Sequence, residues 1–147
     1  MTIFPTAMAP GVPATSDLRR LLLRIDAAFL LLASSGGMLG DILGTFFGSG
    51  PEAAILRDAP GAGIGLLEAH GLAFILAVLL WRADPIRSWH FAAAAIHLLL
   101  GTANLAFWQF FTAADMLAVG YITTALHWTF VTLQLTAAAQ VARPQIP

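Results

Sequence analysis

Six polar or ionisable residues lie inside long apolar runs of this 147-residue chain, and they are the candidates for chemistry: Asp41, Glu68, His70, Asn104, Thr124 and His127. At 1.5 Å of helix per residue, Asp41, Glu68 and Asn104 all fall roughly 9 to 10 Å inside the same boundary of their apolar runs, and the two histidines fall deeper. Ionisable groups in such surroundings are costly and usually functional. The spacing predicts a polar site that binds or relays a proton, a cation or a small ligand.

Purely structural roles are the alternative for the same residues. Asp41 could cap a broken helix after "SSGG", and Glu68 could pair with Arg57 or with a histidine. We expect His90, beside Trp89, to anchor the chain at a membrane interface. His97 is expected to hydrogen-bond to a neighbouring helix rather than to ligate a metal.

Cofactor chemistry has weaker support in the sequence. His70 and His127 come within roughly 5 Å of the same depth, which leaves a metal ligand role or bis-histidine haem b open as alternatives. No histidine spacing repeats within one segment, so we predict no cofactor. There is no nucleophile with its base and no HExxH motif, and the chain has no cysteine, so nothing indicates an enzyme.

The elements that must position these residues follow from composition. The chain is 59% apolar and 10% charged, with a mean hydropathy of +0.81. Apolar runs of about 20 residues are long enough to cross a bilayer. They predict an all-α, four-transmembrane-helix antiparallel bundle with spans near residues 27–47, 61–81, 90–110 and 116–138. These lie in one membrane domain, residues 17–142, between a flexible tail at 1–16 and a short tail at 143–147.

The arginines predict the orientation of this bundle. Arg57 alone falls in one set of loops, and the other six, which are expected on the cytoplasmic side with both termini, are Arg19, Arg20, Arg24, Arg82, Arg87 and Arg143. The expected location is a bacterial inner membrane, crossed several times. A net charge of −1 argues against a nucleic-acid partner.

Each span also has a face that could point inward. The face of span 4 contains Gly120, Thr124, His127, Val131 and Gln134, and that of span 2 contains Gly61, Gly65, Glu68 and Leu72. Small residues spaced by four predict close packing of spans 1 and 2 along two facing stripes. The stripes are Gly36, Gly40, Gly44 and Gly48 on span 1, and Gly65, Ala69, Ala73 and Ala77 on span 2.

Four spans in under 150 residues, a glycine-rich first span and the segment "LLEAHGLAFILAVLLWRADPIR" together resemble the DoxX-like small membrane proteins. The resemblance is one of layout, so it implies a fold and no catalytic residues. Besides the lipid bilayer, the expected partners are larger membrane subunits or further copies of the chain. A role as an accessory or assembly subunit is therefore the main alternative to the polar site.

Overall fold

The computed structural model describes residues 14 to 140, with side chains from Ser16 onward. All six elements in this range are helices: α1 (Ala14–Phe47), α2 (Ala53–Asp58), α3 (Ala62–Arg82), α4 (Arg87–Ala106), α5 (Trp108–Ala113) and α6 (Leu117–Gln140). The all-helical class is as the sequence predicts. The C-terminal tail, Arg143 and most of the N-terminal tail lie outside the described residues, and α1 already begins at Ala14.

The four long helices form two antiparallel hairpins, α1 with α3 and α4 with α6. In the first hairpin, Arg20 near the start of α1 pairs with Asp84 just after α3 at 3.5 Å. In the second, Asn104 near the end of α4 donates a hydrogen bond to Thr123 near the start of α6. Far fewer residues join one hairpin to the other, and α1 makes those contacts with α4 and α6. The side chains of α1 therefore decide how the two halves meet.

The buried face of α1 repeats every three or four residues, as a helix packed along one side requires. It includes Leu23, Ala27 and Leu30, which form a small core with Ala77 and Leu80 of α3 and Ala93 of α4. Polar residues follow the same spacing and are equally buried, at Asp26, Ser34 and Asp41. The face that holds the hairpin together thus also carries carboxylates into the interior.

The two predicted stripes of small residues do not face each other along α1 and α3, although Ala77 of the second stripe is buried in the core that the two helices share. A Cβ atom added at Gly36 or Gly65 would meet nothing within 4 Å, and Ala69 is exposed while Ala73 is half-buried. Each four-residue step turns a helix by about 400°, so a stripe drifts about 40° per step. Four such positions therefore cannot all face one neighbour.

The glycines of α1 have other roles. Gly40 and Gly44 face Glu52 and Leu56, so they admit the segment between α1 and α3 (residues 48–61, hereafter the connector). Gly37, which is outside the predicted stripe, marks a close approach of α1 to α3. A Cβ atom at this position would overlap the ring of His70.

Glycine and proline positions explain where α1 and α3 end. Gly48 has a φ of +58°, and the N–H of Ser49 bonds back to the carbonyl of Leu43, which closes the C-terminus of α1. Pro85 follows α3 and cannot continue it. The third predicted span, 90–110, differs from the structure because the helix is interrupted at Phe107 between α4 and α5.

Many large apolar side chains lie on the surface and several polar ones lie inside, which is the reverse of their distribution in a soluble protein. Large side chains such as Leu32, Phe46 and Leu99 are at least 70% exposed, whereas Asp26 and His97 are completely buried. Within the described residues, α1 and α3 are long and apolar enough to cross a membrane by length and composition.

The described arginines cluster toward one end of the hairpins. Arg24 lies 5.7 Å from the ring of Trp81, and Arg87 lies 5.2 Å from that of Phe91. We call this end, with Arg19, Arg20, Arg24, Arg82 and Arg87, the arginine end. Arg57 of α2 lies at the opposite end, which is closed by the connector.

Candidate functional site

A continuous chain of five buried side chains joins the two hairpins, and we call it the histidine network. Asp26 of α1 stands at its centre, where Oδ1 lies 2.6 Å from Nε2 of His97 and Oδ2 accepts a 2.5 Å bond from Nε2 of Gln134. On one side, Nδ1 of His97 lies 2.8 Å from Nδ1 of His127. On the other, Oε1 of Gln134 lies 2.6 Å from Nδ1 of His90. Three helices thus contribute to one hydrogen-bonded line.

The network is enclosed by aromatic rings. The ring of Phe130 stacks on His97 with centroids 4.8 Å apart, and Phe29 lies edge-on to His127 at 5.5 Å. Asp26, His97, His90 and Gln134 are completely buried, and His127 is 6% exposed. Low-dielectric surroundings strengthen each hydrogen bond and make any unpaired polar group expensive. The network is therefore a strong constraint on how the hairpins dock.

A second polar cluster lies at the connector end, fifteen residues further along α1, which is roughly 22 Å of helix. Asp41 of α1 is 1% exposed, and its Oδ2 lies 2.7 Å from Nδ1 of His70 on α3. Glu52 of the connector is 5% exposed and faces the carboxyl group of Asp41 at hydrogen-bonding range. Burial, the hydrogen bond to Asp41 and the negative charge of Asp41 raise the pKa of Glu52 from 4.5 to about 7.

The backbone makes room for this cluster through two small residues. The ring of His70 occupies the space in front of Gly37, where any side chain would overlap it. The carboxyl of Glu52 lies over Gly40, where a Cβ atom would come within 3.4 Å of Oε2. Glycine at these two positions therefore allows α3 and the connector to bring polar groups against α1.

The remaining predicted site residues lie elsewhere. Glu68 is exposed, because it stands about 200° round α3 from His70. The predicted inward face of span 2, including Gly61, Gly65 and Leu72, is exposed with it. The structure therefore brings Asp41 to His70 and not to Glu68.

Asn104 and Thr124 do not join either cluster. Asn104 is half-buried and bonds to Thr123 Oγ1 at 3.1 Å, so it pairs α4 with α6. Thr124 is buried, and its hydroxyl has no hydrogen-bond partner among the described residues. It lines a shallow groove of about 370 Å³ together with Leu105, Trp108, Tyr121 and Ala125.

Sequence reasoning misses or misplaces several members of the clusters. Asp26 lies one residue outside the predicted first span, and Glu52 stands in a connector that has no periodicity. His90 is a correction, because the expected interface anchor is fully buried against Gln134. The signal for Asp26 is present in its spacing, since it falls on the face that continues through Leu30 and Ser34.

The predicted histidine pair does not come together. His70 bonds to Asp41 at the connector end, and His127 bonds to His97 in the histidine network, so the two rings belong to clusters that lie far apart on α1. Within residues 14–140, no group of three or more histidine, aspartate or glutamate side chains is arranged to hold a metal ion. The geometry offers hydrogen bonding and proton exchange as the chemistry of both clusters.

Comparison with known proteins adds no relative: no family model matches the chain, and neither a curated protein nor a solved structure matches it.

Proposed function

We propose that this chain is a four-span integral membrane protein that takes up a proton at His127 and holds it at Asp26. The supporting observation is the line His127–His97–Asp26, in which every ring nitrogen that faces a neighbour lies within 2.8 Å of it. Aspartate–histidine chains of this kind serve as proton relays inside membrane proteins.

The membrane setting is supported by exposure. Only 28% and 17% of the residues in the most apolar stretches of α1 and α3 are buried, whereas a core helix of a soluble protein is mostly buried. α1 also packs against α3, so the two apolar helices form one unit. Placing the arginine end in the cytoplasm gives both termini a cytoplasmic location. The layout, which resembles DoxX-like proteins, and a bacterial inner membrane are part of this proposal.

The hydrogen-bonding requirements fix where the protons lie before uptake. The carboxylate of Asp26 accepts from Nε2–H of His97, so Nδ1 of a neutral His97 is an acceptor. Nδ1 of His127 must then donate to it, which leaves Nε2 of His127 as the free acceptor. His127 is also the most exposed residue of this line, so a proton enters there.

Uptake then moves one proton along the line and leaves both rings neutral, each with its proton on the other ring nitrogen. A proton binds Nε2 of His127, and the Nδ1 proton of His127 passes to Nδ1 of His97. His97 is now an imidazolium beside the Asp26 carboxylate, and the face of the Phe130 ring stabilises its positive charge. Transfer of the Nε2 proton to Oδ1 of Asp26 leaves a neutral carboxylic acid and a neutral His97.

Gln134 ends the relay. An amide N–H cannot release its proton at moderate cost, so Gln134 holds the Asp26 carboxylate in place without passing the proton on to His90. We therefore infer a proton-loading site rather than an open proton channel.

Charge movement after a pH jump tests the proposal. Protein reconstituted on a solid-supported membrane should give a transient current on acidification and no sustained current. Asp26→Asn should abolish the transient, and Asp17→Asn, which alters an exposed carboxylate on the same helix, should keep it. A wild-type protein without a transient, or an Asp26→Asn variant that retains it, would show that the network serves packing. That result would favour the alternative of an accessory subunit in a larger membrane complex.

A further inference from the structure

The acid pair, Asp41 and Glu52, lies outside the proton path described above and poses its own electrostatic problem. Both carboxyl groups are more than nine-tenths buried, and Oδ1 of Asp41 and Oε2 of Glu52 have no hydrogen-bond partner among the described residues. Two carboxylates at such close range repel each other strongly, because little water screens them. One shared proton removes the repulsion and supplies the missing hydrogen bond.

Among the described residues, one group that faces the pair at contact distance can carry a positive charge, and it is His70 of α3. From α1 the facing group is Asp41 itself, and from α3 it is His70, whose Nδ1 is engaged by the other oxygen of Asp41. On the side of α2, Arg57 and Asp58 are both exposed, and neither forms an ion pair within the described residues. His70 can balance at most one of the two negative charges of the pair, so the other is removed by a proton on Glu52, which donates to Asp41.

Glu52 also holds the connector in position. It directly precedes α2, and the side chain of Leu56 and the backbone of Ala53, both buried residues of this segment, lie against α1 at Gly44. These few apolar contacts and the acid pair are what fasten α2 to α1. We propose that Asp41 and Glu52 form a proton-binding site that latches the connector onto α1, so that loss of the shared proton opens this end of the bundle.

The pH range over which the latch opens follows from the difference between the pKa of Glu52 in the folded and in the unfolded state. The pKa of Glu52 is raised in the folded state, so the latch is complete below the unfolded value of 4.5 and is lost as pH rises through about 7. Between those values each pH unit favours the open connector by about a factor of ten. Above about pH 8, both states are ionised and the opening equilibrium no longer changes.

Hydrogen–deuterium exchange of the connector in lipid nanodiscs tests the latch. After correction for intrinsic rates, amides of residues 48–58 should exchange about tenfold faster at pH 8 than at pH 6 in the wild type. Glu52→Gln carries a permanent N–H donor toward Asp41, so its exchange should stay at the slow level at both pH values. Asp58→Asn, which alters an exposed carboxylate of the same segment, should keep the tenfold change.

Infrared difference spectra read the shared proton directly. In an Asp26→Asn background, which removes the carboxyl group of the proposed relay, the carbonyl band of a protonated carboxyl group should be present at pH 6 and lost at pH 8. It should be absent at both pH values when Glu52→Gln is added. Connector exchange that is the same at both pH values, a tenfold change that persists in Glu52→Gln, or a missing carboxyl band would each overturn the latch. The relay at Asp26 would be unaffected by that outcome, because its test reads charge movement at the other cluster.

Discussion

Gln134 donates a 2.5 Å hydrogen bond to Asp26 across 108 positions of the chain. This bond joins α6 to α1, and the opposite oxygen of Asp26 joins α1 to α4 through His97. One carboxylate therefore ties both helices of the second hairpin to the first. An apolar core that includes Ala93 of α4 also links the hairpins, so this carboxylate adds polar ties to an apolar contact. The docking of the two halves thus depends in part on a group that is also proposed to carry a proton.

Replacement of Asp26 should weaken the fold as well as abolish proton uptake. Asn at this position offers one acceptor where Asp26 offers two, so His97 or Gln134 loses its partner in a dry interior. We expect Asp26→Asn to lower the free energy of unfolding by about 2 to 3 kcal/mol. Titration of the purified protein with denaturing detergent measures it. The exposed Asp17→Asn should change stability by less than about 0.5 kcal/mol, and equal losses in the two variants would contradict the network's structural role.

Two adjacent glycines of α1 should respond differently to the same substitution. A methyl group at Gly37 overlaps the ring of His70, whereas one at Gly36 enters open space. Overpacking costs about 1 to 3 kcal/mol, so Gly37→Ala should lower the melting temperature and weaken the bond between His70 and Asp41. Gly36→Ala should be neutral or slightly stabilising. Thermal unfolding in detergent compares the pair, and a tolerant Gly37 would show that α3 is not packed as described.

Topology can be tested cleanly because the chain has no cysteine. Ser49 of the connector and Ser88 at the arginine end are both exposed. In intact cells, a membrane-impermeant maleimide should label Ser49→Cys, and it should label Ser88→Cys only after the membrane is opened. The reverse pattern would place the arginine end outside and would contradict the proposed cytoplasmic location of both termini.

The purified protein should have no haem absorbance. His70 and His127 belong to separate clusters, and the ring of His127 is hydrogen-bonded to His97 through its Nδ1. A visible spectrum of protein from haem-supplemented cells checks this expectation. A stoichiometric Soret band that is lost in His127→Ala would establish an electron-transfer role instead.

The sequence is most informative where a helix carries a single polar face. The predicted inward residues of span 4, from Gly120 through His127 to Gln134, are all buried on α6. The prediction from the sequence fails on α3, where Glu68 and His70 are both ionisable and point to opposite sides. Nothing in the local pattern ranks one above the other, and the choice is made by the contact with Asp41 on α1.

The acid pair shows a different limit of sequence reasoning. Glu52 lies in a segment with glycines, prolines and no regular period, so its burial cannot be inferred from spacing. Its position depends on the helix end at Gly48, with a φ of +58°, and on the space left at Gly40 and Gly44. Both are three-dimensional features that a one-dimensional pattern does not encode.

The division into two hairpins has a consequence for biogenesis. As the ribosome delivers the chain, the hairpin of α1 and α3 is complete before α4 and α6 have been made. Until they arrive, the carboxylate of Asp26 lacks His97 and Gln134, its partners among the described residues, and in the proposed membrane setting it faces lipid or the insertion machinery. Delivery of the second hairpin therefore supplies the hydrogen bonds that the first hairpin needs.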